Sequence, residues 1–304
     1  MSFEVIHPGF LSTIQDYGRF NHGMHGMSQS GVMDEHAYCW GNHLLGNRFG
    51  DAVIEINFGG LILEAQIDTF IAVTGADFDF KINDKLAQMW CNVQIYQGDI
   101  LSWGNPKIGV RAYLAVKGGL NTPILFDSRS VNLREQIGAK LTRGDKLPYK
   151  LFKKTTFRSI PTKYFPNYKK DVVLRLLPTY QFNDFDIKQR QLFFQQDYTV
   201  TKDSDRTGCR LNGTPISGKN SRMISEGISY GSVEITTDGL PIILLKDTPN
   251  IGGYPKIGTV FSLDLSKLAQ RHPNTKVSFE LMSVEQAQQK RKEFNTFFKI
   301  NITP

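Results

Sequence analysis

The residues best suited to chemistry stand together in one short stretch of the chain. An acid, an amide and a phenol surround two adjacent glycines, and these residues are Asp247, Asn250, Gly252, Gly253 and Tyr254. Adjacent glycines let the backbone take positive φ and approach another group closely. The stretch therefore predicts a loop that displays a site, with a purely structural turn as the alternative, because glycines serve turns first.

Apolar runs flank this loop on both sides. Ile242–Leu245 predicts a strand covered on both faces, and a second strand is predicted over residues 257–261. Between them, Pro249 and Pro255 forbid a regular ladder. A β-barrel presents functional side chains in this way, on a rigid loop between two strands.

Two arginines provide the strongest candidate for binding an anion. The segment Ser204–Leu211, SDRTGCRL, places Arg206 and Arg210 on a glycine-containing turn. Arginine suits bidentate contacts with a carboxylate or a phosphate. The alternative for these side chains is an exposed ion pair.

Two further segments carry polar side chains next to predicted elements. Ser28–Asp34, SQSGVMD, sets hydroxyls and an acid ahead of a helix that Asp34 is predicted to cap and Gly46 to end. Helix N-termini bind anions well. Thr74–Asp77, TGAD, ends a predicted strand. Taken alone, each segment is equally well explained as a capped turn.

Metal and nucleotide motifs are weak. Several histidines lie near the N-terminus, but no HExxH pattern or cysteine pair accompanies them, so no metal site is expected. The segment Gly213–Ser221, GTPISGKNS, resembles a phosphate-binding loop. Asn220 stands where that loop needs a hydroxyl, so the segment is predicted to be a surface turn.

Composition bounds the class of protein. The 304 residues include 36 Lys and Arg against 29 Asp and Glu, so the net charge is 36 − 29 = +7. The basic residues are not concentrated in one motif. A solvated basic surface is expected rather than a nucleic-acid interface. The three cysteines are isolated, and neither a leader nor an apolar run of ~18 residues is recognised. These features favour a cytoplasmic protein that is not bound to a membrane.

The predicted architecture is mainly β. Many short strands separated by turn signals indicate barrels or sandwiches, and no alternating βα pattern is present. A change in composition predicts an N-terminal domain at residues 1–150, a linker at about 151–170 and a C-terminal domain at 171–304. Ser283, followed by Gln286, predicts a capping box for a C-terminal helix.

Seven motifs together resemble a known family. They are PGFLSTIQDYGR (Pro8–Arg19), QSGVMD (Gln29–Asp34), TGAD, RAYLAVKGG (Arg111–Gly119), DSRS (Asp127–Ser130), SDRTGCRL and DTPNIGGYP. In this order they resemble the family of the 5-oxoprolinase C subunit, which also supplies the carboxyltransferase domain of urea carboxylase and antagonists of a sporulation kinase inhibitor. The resemblance runs from about residue 3 to residue 282.

This resemblance implies two cyclophilin-like β-barrel domains with a few short helices and a C-terminal helix. It also implies one component of a multi-chain enzyme. The B and C subunits would act together with ATP on 5-oxo-L-proline, and the A subunit would complete ring opening to glutamate. ATP is expected at the partner or at a shared interface, because this chain lacks a convincing nucleotide motif.

The chemistry that a lactam substrate requires suggests roles for the candidate residues. Asp247, Asn250 and Tyr254 are expected to orient the substrate amide beside Gly252 and Gly253. Arg206 or Arg210 would bind its carboxylate, and Ser30 with Asp34 would line the opposite wall. The chain departs from the family where Gln29 replaces a common proline and where Pro249–Asn250 replaces a common Gln-Thr. Because Pro249 has no amide side chain, Asn250 is the residue expected to replace it in part.

Three other functions fit the same resemblance. One is a urea- or amide-directed carboxyltransferase component that uses biotin carried on another chain. A second is a regulator that binds a kinase-inhibitor protein without chemistry. A third, cyclophilin-type prolyl isomerisation, rests on fold alone and is disfavoured.

Overall fold

The computed structural model describes residues 1–218 and 224–300. Contacts divide the chain into two units. The first unit contains Met1–Phe20, Ser30–Lys169 and the chain from Asn295, and the second contains Asn21–Gln29 and Lys170–Phe294. The predicted domain limits at residues 150 and 171 stay a prediction.

The first unit contains eleven strands among its described residues. These are β1 (Ser2–Pro8), β2 (Leu11–Gln15), β3 (Val53–Asn57), β4 (Leu61–Ala65), β5 (Thr69–Asp77), β6 (Lys81–Ile82), β7 (Lys85–Leu86), β8 (Asn92–Ile95), β9 (Ile100–Ser102), β10 (Ile108–Val116) and β11 (Lys146–Pro148). One sheet has the order β11-β1-β4-β9-β6-β7, and the other has the order β2-β3-β10-β5-β8.

A shared apolar core fills this unit. On β4, Leu61, Leu63 and Ala65 are buried and alternate with half-buried residues, which is the period-two pattern of a strand with one face in the core. Strands β5 and β10 are buried along almost their whole length. The two sheets therefore enclose one core, to which both contribute.

Helix α1 (Glu35–Leu45) packs on β5 and β10. Asp34 accepts a hydrogen bond from the Ala37 backbone N–H, and Gly46 ends the helix in the left-handed conformation, so both predicted caps are confirmed. A Cβ atom on Gly41 would lie 3.3 Å from Thr74 Oγ1, so a glycine permits the helix to approach β5 closely.

The second unit contains nine strands among its described residues. These are β12 (Val172–Pro178), β13 (Tyr198–Val200), β14 (Gly208–Asn212), β15 (Glu226–Gly227), β16 (Ser232–Ile235), β17 (Pro241–Leu244), β18 (Ile251–Gly252), β19 (Lys256–Val260) and β20 (Lys276–Leu281). Seven of them close a barrel in the order β12-β19-β16-β17-β14-β13-β20, and β15 pairs with β18 in a separate ribbon. The pairing of β12 with β20 is parallel.

Three further helices complete the described chain. They are α2 (Ile187–Gln195), α3 (Ser262–Leu268) and α4 (Val284–Phe298), and short 3-10 turns lie at Gly23–His25, Thr162–Tyr164 and Tyr180–Asp184. Ser283 and Gln286 exchange hydrogen bonds of 3.2 and 3.3 Å before α4, which confirms the capping box. The strand predicted over residues 257–261 was wrong at its end, because β19 stops at Val260 and α3 begins at Ser262.

The mainly-β fold class with a C-terminal helix is confirmed. Cys39, Cys91 and Cys209 are buried free thiols. Within the described residues, no helix combines the length and apolarity needed to cross a bilayer. Lys219, Asn220 and Ser221 of the phosphate-loop-like segment lie outside the described residues.

Candidate functional site

The two strands predicted around Asp247 are confirmed as β17 and β19, but the loop between them contains the short strand β18, which pairs with β15. Strand β17 lies between two neighbours, because Ile243 pairs with Cys209 of β14 on one side and with Val233 of β16 on the other. Pro241, which lacks an N–H donor, occupies the first position of β17, where a strand tolerates proline. The loop therefore begins at the end of a central barrel strand.

Arg206 and Asp247 form a bidentate ion pair at this end of the barrel. Arg206 Nε donates to Asp247 Oδ2 at 2.7 Å, and Arg206 Nη2 donates to Oδ1 at 3.0 Å. The Asp247 backbone N–H also donates to the Arg206 carbonyl at 2.9 Å. Their side chains are only 12% and 6% exposed, so the pair is buried rather than a surface pair with Asp205. The structure thus brings together two residues that lie in separate candidate segments of the sequence.

Arg210 has a different environment. It lies on β14 with its side chain exposed, and its backbone N–H donates to Ser204 Oγ at 3.1 Å. The pKa of Asp238 lies below its usual value, mainly because Thr236 donates to it and to a smaller extent because Arg210 is near. Arg210 is therefore a cation at the surface of the barrel.

The residues on either side of Asp247 are also buried. Lys246 Nζ lies 4.3 Å from the centroid of the Tyr230 ring, a cation–π distance. Thr248 is 7% exposed, and its hydroxyl has no hydrogen-bond partner within residues 1–218 and 224–300. Its carbonyl accepts a 2.7 Å hydrogen bond from Ser28 Oγ. The loop thus holds a buried cation, an acid and an unpaired hydroxyl in consecutive positions.

Asn250 uses its amide to hold an earlier segment of the chain. Its Nδ2 atom donates to the Gly23 carbonyl at 3.2 Å and to the Met27 carbonyl at 2.9 Å. Both amide hydrogens are therefore committed to the backbone. Only Oδ1 of this side chain can accept a hydrogen bond from a ligand.

The ribbon that follows brings Gly252 against a buried acid. A Cβ atom at Gly252 would lie 2.6 Å from Glu234 Oε1, and no left-handed φ is needed there, so the glycine serves close approach rather than a special turn. Gly253 follows it, and Tyr254 is 39% exposed. Among Gly252, Gly253 and Tyr254, the tyrosine is the most exposed to solvent.

Glu234 was missed by the sequence analysis. It is 4% exposed, and its Oε1 atom has no hydrogen-bond partner in the part of the chain that the structure describes. Burial raises its pKa, and Lys256 opposes this shift only in part. Lys256 forms an ion pair with Glu226, which Gln181 Nε2 also contacts at 2.9 Å. No local sequence signal marks Glu234. Lys256, which faces it in the register of the β16–β19 ladder, is distant in the sequence.

Ser30 and Asp34 lie in the first unit with structural partners of their own. Ser30 is fully buried at φ 55°, and its hydroxyl accepts a 3.0 Å hydrogen bond from Asn132 Nδ2. Besides capping α1, Asp34 accepts a 2.9 Å hydrogen bond from the Tyr168 hydroxyl. These contacts fix the start of α1, and the predicted substrate contacts of both residues stay a prediction.

Two of the motifs meet in the first unit through Asp16. Its carboxylate accepts hydrogen bonds from Ser128 Oγ at 2.6 Å, from Ser130 Oγ at 2.5 Å and from the Arg129 backbone N–H at 2.6 Å. The QDYGR and DSRS motifs therefore form one buried polar cluster. This cluster gives the two motifs a structural reason for their residue types.

Among the described residues, no group of three or more His, Cys, Asp or Glu side chains is arranged to hold a metal ion.

Comparison with known proteins places these features in a family. A model described as carboxyltransferase domain, subdomain A and B, matches residues 25–281. The C subunit of 5-oxoprolinase from Haemophilus influenzae is 35% identical over 291 residues, which cover 93% of this chain and 92% of that protein. The Escherichia coli protein of the same name is 29% identical, and the match covers 97% of this chain and 96% of that protein.

A solved structure gives the same relationship. The crystal structure of the Kluyveromyces lactis urea carboxylase has a TM-score of 0.89 at 26% identity, covering 98% of this chain. This chain spans 29% of that protein. The motifs, the barrel and the extent of these matches lead to one conclusion: the chain belongs to the carboxyltransferase domain A and B family, together with the C subunit of 5-oxoprolinase.

Proposed function

We propose that this chain is the C subunit of an ATP-dependent 5-oxoprolinase, which opens 5-oxo-L-proline to L-glutamate together with homologues of the A and B subunits. The observation that carries the proposal is the match with the Haemophilus influenzae protein, which spans nearly the whole of both chains. In the urea enzymes, by contrast, the matching region is a minor part of a much longer chain.

The chemistry of a lactam defines what the site must provide. A lactam carbonyl is a poor electrophile, so its oxygen must be activated, in our proposal by phosphorylation from ATP. The protein must then supply donors for charge that develops on this oxygen and a cation for the substrate carboxylate. The loop after β17 offers the Thr248 hydroxyl as a donor, and its Asp247 orients the Arg206 guanidinium, which is the cation.

Each predicted residue takes a role that its contacts allow. Asp247 holds the Arg206 guanidinium in a fixed plane, and this cation faces the substrate carboxylate, with Arg210 as the alternative. Asn250 can accept from the lactam N–H through Oδ1, since its amide hydrogens bind the backbone. Tyr254 reaches solvent and closes the substrate against Gly252 and Gly253.

The nucleotide and the partners belong to the same proposal. ATP binds mainly through a partner or at a surface shared with it, and the complex works in the cytoplasm on a small molecule. Nucleic acid and membrane have no part in this reaction. The isolated chain is expected to be inactive toward 5-oxoproline.

A urea- or amide-directed carboxyltransferase component is the second candidate. Its support is the TM-score of 0.89 with the urea carboxylase structure. In that case biotin on another chain would deliver the carboxyl group, and 5-oxoproline would not react.

Reconstitution separates the two candidates. The chain is mixed with co-expressed homologues of the A and B subunits, ATP and 5-oxoproline, and glutamate formation is measured with each chain omitted in turn. We expect glutamate only when all three chains and ATP are present. Absence of glutamate, combined with urea-dependent ATP hydrolysis in the presence of a biotin carboxylase and carrier, would replace the first candidate by the second.

A further inference from the structure

A cavity with a volume of about 570 Å³ lies in the first unit, where strand β5 ends. We call it the TGAD cavity after the motif that contributes Asp77, and the side chains that matter for its chemistry are Asp77, Asp79, Phe80, Trp90, Lys107 and Phe165. Small-molecule sites have volumes of roughly 300–1,000 Å³. The TGAD cavity is therefore large enough for a small organic molecule.

The TGAD motif forms a β-bulge beside this cavity. The ladder between β5 and β10 changes register between Gly75 and Asp77. Gly75 has a φ of +86°, and a Cβ atom there would lie 2.5 Å from the Arg111 carbonyl oxygen, so the position requires glycine. Gly75 and Asp77 line the cavity, whereas Ala76 belongs to the apolar core. Bulges redirect side chains and are common beside functional sites, so the bulge explains how the motif presents Asp77 to the cavity.

Aromatic side chains form much of the lining. The Trp90 and Phe165 ring centroids lie 5.2 Å apart, and Phe80 is a further lining residue. Trp90 has a φ of 60°, a left-handed conformation that is rare for so large a side chain. Two hydrogen bonds hold it there, because its backbone N–H donates to the Val73 carbonyl at 2.8 Å and its carbonyl accepts from the Ile160 N–H at 3.0 Å. Such backbone outliers are concentrated at ligand-binding and catalytic sites.

The lining carries more negative than positive charge. Among the described residues that line it, two have a carboxylate and one has a basic side chain. Lys107 Nζ lies 2.6 Å from Asp79 Oδ1, and Asp77 takes part in no ion pair within residues 1–218 and 224–300. The pKa of Lys107 lies above its ordinary value, mainly because of its hydrogen bond to Asp79 and to a smaller extent because of the charge on Asp77. The exposed Asp77 carboxylate is thus accessible to a cation from outside the chain.

We propose that the TGAD cavity binds a small organic cation, namely a primary amine attached to an aromatic ring. The ammonium group donates to Asp77, and the faces of aromatic side chains attract cations as well. The ring of the ligand packs against Phe80, Trp90 and Phe165, which removes apolar surface from water. The proposal does not depend on the proposed function, because 5-oxoproline and ATP are anions at neutral pH and do not suit a lining of net negative charge.

Direct binding to the full chain tests the proposal. Ligand-observed NMR titration at fixed ionic strength compares phenethylamine, which is a cation at neutral pH, with neutral phenethyl alcohol, anionic hydrocinnamate and the ringless cation ethylamine. We expect phenethylamine to bind most tightly, phenethyl alcohol to bind roughly tenfold more weakly because it lacks the charge, and the other two compounds to bind weakest. Equal affinity for phenethyl alcohol or hydrocinnamate would refute recognition of the charge, and equal affinity for ethylamine would refute recognition of the ring.

Variants test whether binding occurs in the TGAD cavity. Asp77→Asn removes the charge but keeps an acceptor for the Asp79 backbone N–H, which lies 3.1 Å from Asp77 Oδ1. We expect this variant to weaken phenethylamine binding by roughly tenfold and to leave phenethyl alcohol binding unchanged. Asp203→Asn, which removes an exposed acid of the second unit, is the control and should change neither affinity.

Lys107→Gln provides an independent variant, because Lys107 is 58% exposed and its removal leaves the Asp79 charge without its ion-pair partner. Phenethylamine should then bind more tightly than to wild type. Unchanged affinity in folded Asp77→Asn, unchanged or weaker binding in Lys107→Gln, or no binding of phenethylamine at millimolar concentration would overturn the proposal. Because neither a lactam nor a partner chain is used, these outcomes are independent of whether 5-oxoproline is the substrate.

Discussion

Two arginine–aspartate pairs lie in the same barrel and have different surroundings. Asp264 on α3 is fully buried and accepts from Arg175 Nε at 2.7 Å, Arg175 Nη2 at 2.6 Å, the Arg175 backbone N–H at 3.1 Å and Lys267 at 2.7 Å. It fastens a helix to the strand β12. Asp247 and Arg206, by contrast, join two loops at the ends of β14 and β17.

The comparison shows that the role of an arginine–aspartate pair depends on where in the barrel the pair lies. Arg175 and Asp264 connect regular elements of the barrel wall, where their loss affects folding. Arg206 and Asp247 lie next to the unpaired Thr248 hydroxyl, in a loop that also carries the exposed Tyr254, and there we expect an oriented cation to serve binding. Glu234 is the contrasting case, a buried acid of the same barrel whose Oε1 atom has no such partner among the described residues.

The largest effect is expected at the wall pair. Asp264→Ala leaves Arg175 without its counterion, and breaking a buried pair in this way costs ~3–5 kcal/mol of unfolding free energy. Denaturant unfolding of the chain measures this loss. The control is Asp197→Ala, whose side chain is 55% exposed and pairs with Lys276 at 3.3 Å. Such surface pairs contribute at most ~1 kcal/mol, so similar losses in both variants would contradict the assignment.

Acid should reduce the difference between wild type and Asp264→Ala. Burial raises the pKa of Asp264, but the hydrogen bonds from Arg175 and Lys267 outweigh burial, so the pKa lies below its usual value. A lowered pKa in the folded state gives stability that is present above the ordinary aspartate pKa of ~3.9 and lost as pH falls through the lowered value. A difference in unfolding free energy that stays constant into strong acid would be inconsistent with this origin.

A smaller effect on stability and a larger one on activity are expected at the loop pair. Asp247→Asn removes charge-assisted hydrogen bonds, which contribute about 1.5–3 kcal/mol. The Arg206 guanidinium is then no longer held in one orientation. We therefore expect kcat/KM of the reconstituted complex to fall by roughly ten- to a hundredfold. Asp203→Asn, an exposed acid nearby, is the control. Normal kcat/KM in Asp247→Asn would remove the loop pair from the substrate site.

The smallest effect concerns Glu234 and depends on pH. Because its pKa is raised in the folded state, the barrel loses stability as pH rises through that pKa and is unaffected below the ordinary glutamate pKa of ~4.3. Glu234→Gln should therefore raise the Tm relative to wild type at pH 8 but not at pH 4. Glu226→Gln should act in the opposite direction at pH 8, since contacts from Lys256 and Tyr180 lower the pKa of Glu226. A Tm gain for Glu234→Gln that is the same at both pH values would show that its charge is not the cause.

Local signals accounted for much of the fold. The caps of α1 and α4 were predicted because Asp34, Gly46 and Ser283 act on backbone groups within a few residues. Helix α3 was missed because Phe261 occupies its N-cap without a side-chain hydrogen bond, so no capping residue marks its start. The mixed apolar and polar residues that follow Phe261 are also compatible with a strand.

Long-range pairing explains what the sequence could not predict about the site. Arg206 and Asp247 are 41 residues apart and meet because β14 pairs with β17. Both residues were recognised, but their union depends on the register of that ladder. Thr248 and Glu234 have ordinary sequence contexts, and only burial without a partner distinguishes them.

The most direct test compares Arg206→Lys with Arg175→Lys in the assembled enzyme. Lysine keeps the charge of each site but loses the bidentate fork. We predict that Arg206→Lys raises the KM for 5-oxoproline by roughly tenfold or more, equivalent to ~1.4 kcal/mol, with a smaller loss of Tm than Arg175→Lys. Arg175→Lys should lower the Tm and leave the KM unchanged. A normal KM in Arg206→Lys, together with a Tm loss as large as that of Arg175→Lys, would show that both pairs are structural and would move the substrate cation to Arg210.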